Sequence, residues 1–192
     1  MELIFATNNP HKLAEMQAIL GPAVTLRSLR DIGYTDDIIE DGTTLQQNAL
    51  IKASYIYNNY HLPCFADDTG LEVDALGGAP GVHTARYAGP QCNPADNIAL
   101  LLRNMQGILN RQAQFRTVIA LINDGTPLYF TGIIRGTIAT APSGIGGFGY
   151  DPLFIPEGHT QTFAQLPAEI KNQISHRALA AQQLATYLRR KI

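Results

Sequence analysis

The chain has 192 residues, 45% of them hydrophobic and 16% charged, which suits one globular domain over 1–192. Against 16 acidic side chains stand 14 basic ones, for a net charge of −2, and no polybasic face argues for a nucleic-acid polymer as partner. Cys64 and Cys92 form neither a metal-type pair nor a disulfide framework, and no stretch approaches a membrane span. The opening run MELIFATNN is too short for a signal peptide and carries an acid at position 2, so a cytoplasmic protein with reduced thiols is expected.

Residues 2–6 read as a short buried strand, and 10–20 as a helix with Asn9 as cap, Pro10 at its first position and Gly21-Pro22 as stop. A weak strand is expected around 24–29. A second helix starts at Thr44, which has capping-box spacing to Gln47, and carries the apolar stripe Leu45, Ala49, Ala53 and Ile56. PCFA, 63–66, reads as a short strand that ends at Asp67-Asp68, followed by a loop-rich stretch with a possible short strand at 71–73. Helix 93–107 has Asn93 as cap, Pro94 first, Asp96 in its first turn and Gly107 as terminator. FRTVIALI and PLYFTGIIRGTIA read as strands of a hairpin joined by Asn123-Asp124-Gly125-Thr126. A glycine-rich loop, SGIGGFGYDPLF, enters a further strand, and a final amphipathic helix is capped by Ser175. The fold class is therefore α/β with a mixed sheet rather than a purely parallel one.

Several residues sit where bulk physics disfavours them. Lys12 occupies the first turn of a helix, the end with partial positive charge. Alone it reads equally as a surface lysine, or as a sign that an anion meets the first-turn N–H groups. Lys52 falls inside the apolar stripe of the second helix, where a lysine must snorkel or meet an anion. Asp67 and Asp68 point to opposite faces if they belong to a strand, so one can face a cleft while the other contacts the following turn. With Glu40 or Asp41 such an acidic pair suits Mg²⁺, which is held by one or two carboxylates plus phosphate oxygens. In GGFGYD, Phe148 and Tyr150 flank Gly149 and read either as two buried aromatics that anchor the loop or as an aromatic platform for a flat ring such as a nucleobase. His176 and Arg177 again place basic groups in a first helical turn. Together these features describe a nucleoside polyphosphate with Mg²⁺, although no Walker A loop exists.

The stretches ATNNPHKLAEM, TLQQNALIKA, ADDTGLEVDALGGAPGVHTARYAG, GGFGYDPLF and KNQISHRALA resemble the inosine triphosphate pyrophosphatase family, which acts on ITP, dITP and XTP, in the family's order and spacing. The resemblance implies an elongated mixed sheet flanked by helices, two lobes with a long cleft, and a homodimer. It implies that Thr7, Asn8, Asn9, Pro10, His11 and Lys12 hold the triphosphate with Lys52 assisting. Asp68 then resembles the catalytic carboxylate near Mg²⁺, with Glu40 as its metal-binding companion and Thr69 as a hydroxyl touching substrate. Phe148, Gly149, Tyr150 and Asp151 resemble the base and sugar loop, and Lys171, His176 and Arg177 the base-recognition set. The chain departs from the family pattern at Thr69, where serine is usual, at Leu45 and Gln47, where Phe and Glu are usual, and at His83, where Tyr is usual.

The implied reaction is attack of water at the α-phosphate, with monophosphate and pyrophosphate as products. Arg177 is a donor only, which suits the O6 acceptor of hypoxanthine or xanthine and not the adenine amino group. The sequence leaves two rivals: a pyrophosphatase for modified pyrimidine nucleotides, and a nucleotide sensor that binds without hydrolysis.

Overall fold

A computed structural model describes residues 1–36 and 38–191. Six strands form one sheet: β1 (Glu2–Phe5), β2 (Thr25–Arg27), β3 (Cys64–Val73), β4 (Gln112–Ile122), β5 (Pro127–Ile138) and β6 (Phe154–Pro156). Their order across the sheet is β2-β1-β3-β4-β5-β6. The sheet is mixed, as expected. β1 is parallel to β2, with Leu3 opposite Leu26, and to β3, with Phe5 opposite Phe65. β5 is antiparallel to β6, with Thr137 opposite Ile155. The short connection at 123–126 makes β4 and β5 the expected hairpin. The helices are α1 (Pro10–Leu20), α2 (Leu45–Tyr60), α3 (Pro94–Asn104), α4 (Ala168–Ile174) and α5 (His176–Arg189).

The chain divides into two compact units. The first comprises Met1–Asp68, Thr117–Gly132 and His176–Ile192, and the second Thr69–Arg116 and Ile133–Ser175. The boundaries therefore fall inside β3, β4 and β5.

In the first unit, strand alternation sorts the core onto two faces. Leu3, Phe5, Phe65, Ile119 and Leu121 pack with Met16 and Leu20 of α1 and with Ala181, Leu184 and Leu188 of α5. Phe5 and Phe65 stack with ring centroids 4.5 Å apart. The intervening residues Ile4, Ala6, Cys64, Ala66, Ala120 and Ile122 pack with Ala49, Ala53 and Ile56 of α2. In the second unit, Leu71, Val73, Phe115, Ile138 and Phe154 pack with Leu101 and Met105, and with Tyr150 and Phe163. Phe154 lies 4.7 Å from Phe115 and 5.3 Å from Phe163, centroid to centroid.

The helix signals hold. Asn9 caps α1, Thr44 and Gln47 form the reciprocal capping box of α2, and Asn93 caps α3. Gln47, where the family usually carries an acid, is thereby occupied as a cap. Three expectations need correction. β3 does not stop at the acidic pair but runs on to Val73, because each carboxylate meets a cation on its own face, as described below. α3 ends at Asn104, short of Gly107. The seven-residue α4 was not expected, being too short to display a helical period.

The start of α5 lies very close to β5. A Cβ on Gly132 would fall 2.0 Å from the carbonyl oxygen of His176 and 2.6 Å from the amide nitrogen of Ala180. Both are backbone atoms and cannot turn aside. Gly132→Ala is expected to destabilise the protein by about 1–3 kcal/mol, the usual cost of overpacking. Urea unfolding of the variant against the parent chain measures it, and an unchanged midpoint would show that α5 shifts freely.

Candidate active site

Beyond Phe65 and Ala66, the alternation of β3 delivers Asp67 to the α1/α5 face and Asp68 to the α2 face. The expected division between the two carboxylates is present. Asp67 joins two helices distant in sequence.

On the α1/α5 face, Asp67 Oδ1 accepts from Lys12 Nζ at 2.9 Å and Oδ2 from Arg177 Nε at 3.2 Å. Arg177 Nη1 also donates to Glu15 Oε2. Asp67 and Arg177 are each 2% exposed. Burial pushes the Asp67 carboxyl up, but Lys12 and then Arg177 outweigh it and hold it well below the usual carboxylate range. Burial pulls Arg177 down, and Asp67 and Glu15 outweigh that too, so it stays charged. The Lys12 ammonium is lowered, chiefly by burial. Two cations and two carboxylates thus meet in one ion-pair network.

Lys12 therefore has a partner inside the chain. The first-turn amides do as well, because Asn9 Oδ1 accepts from the N–H groups of His11 and Lys12 at 3.0 and 3.3 Å. An anion at this turn must displace the Asn9 cap or be met by side chains. Thr7 Oγ1 accepts from the Asn9 amide at 3.1 Å, while Asn8 Oδ1 is buried without a hydrogen-bond partner.

On the α2 face, Lys52 Nζ donates to Glu40 Oε2 at 2.9 Å and lies 3.9 Å from Asp68 Oδ1. The lysine in the apolar stripe thus does meet an anion, and that anion is a pair of carboxylates. Burial raises the Asp68 carboxyl, opposed by Lys52 and reinforced by Glu40. Two carboxylate oxygens converging on one cation form a hard-oxygen donor pair, which fits Mg²⁺. Among the described residues no group of three His, Cys, Asp or Glu forms a closed metal cage. Mg²⁺ needs none, because it keeps waters and takes substrate phosphate oxygens as further ligands.

In the second unit, Asp151 Oδ2 accepts from the Phe148 amide at 2.8 Å and from Lys171 Nζ at 2.7 Å. Lys171 Nζ lies 4.9 Å from the Phe148 ring centroid and 5.9 Å from that of Phe163, a cation–π arrangement. Gly147 admits this turn: its φ is +70°, and a Cβ there would fall 2.0 Å from Asp151 Oδ2. Phe148 is half-buried and Gly149 has φ +60°. Tyr150 is buried in the core, and its hydroxyl donates to the Thr84 carbonyl at 2.9 Å. Of the two aromatics that flank Gly149, Phe148 is therefore the accessible one.

Thr69 is half-buried at the next position of β3. The residues that the resemblance groups for the base divide between the units: Lys171 sits with Phe148 and Asp151, while His176 and Arg177 begin α5, with Arg177 joined to Lys12 through Asp67. Glu15, Asn48, Phe163 and Thr84 hold these side chains and went unread in the sequence. Asn48 carried the same signal as Lys52, a polar residue in the apolar stripe. Asp67→Asn is expected to cost about 3–5 kcal/mol near neutral pH, since Lys12 and Arg177 lose a buried counter-charge. Because the folded-state carboxyl lies below its unfolded value, this stabilisation is full above the ordinary Asp pKa of about 3.9 and fades as pH falls through the folded value. Urea titrations of both proteins at neutral and acid pH measure the gap, and a gap that widened on acidification would contradict the assignment.

The Ham1 family profile matches residues 3–187, a span that includes every block on which the resemblance rested. A dITP/XTP pyrophosphatase of Porphyromonas gingivalis is 57% identical over 188 residues, covering 97% of each chain. A dITP/XTP pyrophosphatase of Flavobacterium johnsoniae is 51% identical over 188 residues, covering 98% of each. The structure of the Staphylococcus aureus Ham1 protein superposes with a TM-score of 0.91 at 36% identity, covering all of both chains. By sequence over nearly its whole length and by fold, this chain belongs to the Ham1 family.

Proposed function

We propose that the chain hydrolyses the deaminated purine nucleotides ITP, dITP and XTP to monophosphate and pyrophosphate, clearing them from the nucleotide pool before misincorporation. The observation that carries this reading is the carboxylate pair of Glu40 and Asp68 on Lys52, with Asp68 on the strand that also holds Asp67 against Lys12. Such an array of hard oxygens and lysines suits a metal-bound polyphosphate. The names of the close relatives, dITP/XTP pyrophosphatases, supply the substrate class.

Glu40 and Asp68 would hold Mg²⁺, which when bound offsets the charge that builds on the phosphoryl oxygens. Asp68 orients the attacking water and accepts its proton. Lys12 and Lys52 bind the phosphate tail with the Thr7–His11 turn, and Thr69 adds its hydroxyl. Phe148 offers a ring face to the base, on a loop anchored by Tyr150 and by the Asp151–Lys171 pair. Arg177 and His176 supply donors for the base edge, Arg177 from a guanidinium already oriented by Asp67 and Glu15. A homodimer and a cytoplasmic location follow from the same family reading. Among the described residues no helix is long and apolar enough to cross a membrane.

With Mg²⁺, the protein is expected to turn over ITP, dITP and XTP ahead of ATP, GTP and modified UTP and CTP, read as phosphate after added inorganic pyrophosphatase. Preference for the pyrimidines would change the substrate class, and binding without pyrophosphate release would make the protein a sensor. Asp68→Asn is expected to lower kcat by about 10²–10⁴-fold, the usual contribution of a positioned base, with ITP binding retained. Lys12→Ala is expected to weaken ITP and XTP alike. A loss confined to one base would move Lys12 from the phosphates to the base.

A further inference from the structure

The stripe of α2 carries a second buried polar side chain. Asn48 is 1% exposed, one turn before Lys52. Its carboxamide is engaged at both ends. Oδ1 accepts from the backbone N–H of Gly42 at 2.8 Å, and Nδ2 donates to Asp68 Oδ2 at 3.1 Å. Gly42 lies two residues after Glu40. A Cβ on Gly42 would fall 2.6 Å from Asn48 Oδ1, so the segment carrying Glu40 approaches this amide as closely as glycine allows.

Capping does not explain Asn48, because Thr44 and Gln47 already form the capping box of α2. Its bonds instead tie together the two places from which the carboxylates come. The bond to Asp68 Oδ2 fixes that side chain's rotation and leaves Oδ1 as the oxygen facing Lys52. The bond from Gly42 fixes the segment that presents Glu40. An aspartate at 48 would keep the acceptor for Gly42 but lose the donor and repel Asp68; a glutamine would be one methylene too long for the gap. A carboxamide of this length is the side chain that meets an N–H at one end and a carboxylate at the other.

We propose that Asn48 is a positioning residue whose carboxamide, strung between the Gly42 amide and Asp68, sets the separation of the Glu40 and Asp68 carboxylates and thereby the affinity for a divalent cation. This rests on the reading of Glu40 and Asp68 as the metal pair. Outer partners of metal ligands typically govern affinity by roughly 10–100-fold.

The test is a titration of the full chain with Mn²⁺ followed by electron paramagnetic resonance, alongside ITP binding in EDTA. Asn48→Ala is expected to weaken Mn²⁺ by roughly 10–100-fold while metal-free ITP binding holds. Gly42→Ala, which pushes the same amide from the loop side, is expected to weaken Mn²⁺ to a smaller degree. Unchanged Mn²⁺ affinity in either variant overturns the proposal, as does an equal loss of metal-free ITP binding, which would mark a general structural role. If Asn48→Ala does not fold, judged by circular dichroism, Gly42→Ala alone decides. Asp68→Ala separates the two levels: if it leaves Mn²⁺ affinity unchanged, the metal reading itself fails and this proposal with it.

Discussion

Two adjacent carboxylates lie within a strand that has neighbours on both sides and apolar clusters on both faces. Their nearest counter-charges come from opposite faces of the sheet, since neighbouring side chains on a strand point to opposite sides, with Lys12 and Lys52 each also acting on the farther carboxylate. That constraint explains the basic residues found in unfavourable places. Lys12 stands at the wrong end of a helix dipole, and Arg177 in the first turn of another helix, because both face Asp67. The dipole penalty, about 0.3–1 kcal/mol, is small beside the several kcal/mol of an unpaired buried carboxylate. Lys52 interrupts an apolar stripe because Asp68 and Glu40 are on that face.

Packing and chemistry consequently share one strand. Phe65 and Ala66 are core residues of opposite faces, and the next two positions carry the charged groups onto those same faces. No separate loop is needed to present them. A substitution in the Phe5–Phe65 stack would reach Asp67 through two residues of backbone, so the rigidity of the core is passed directly to the site.

Local signals were legible in the sequence. Asn9, Thr44 and Asn93 announced their helix starts through side chains that bond amides two or three residues on, and Gln47 through one that reaches back to the amides of Thr43 and Thr44. The 123–126 turn announced its hairpin. The odd placement of Lys12, Lys52 and Arg177 was also visible, and so was their need for anions. What could not be read was which anion. Lys12 and Asp67 are 55 residues apart and Arg177 and Asp67 are 110, so their pairing is a product of strand order and helix docking, not of spacing. For the same reason the acidic pair looked like a strand end: two charges together lower strand propensity unless distant cations are brought to them. Tyr150 and Phe148 read as equivalents, and core burial with the Thr84 carbonyl distinguishes the anchored ring from the accessible one.

The ion pairs bear on how an anionic ligand would be received. Lys12, Lys52 and Arg177 are each already bound to a carboxylate of the chain itself, and the first-turn amides of α1 are bound to Asn9. Asp67, Glu15, Glu40 and Asp68 act as internal counter-anions to these mutually repelling cations. On the proposed reading, a polyphosphate must compete with them, so binding is an exchange of anionic partners. The same carboxylates then stand ready to reclaim the lysines as pyrophosphate departs, which favours release of a highly charged product over its retention.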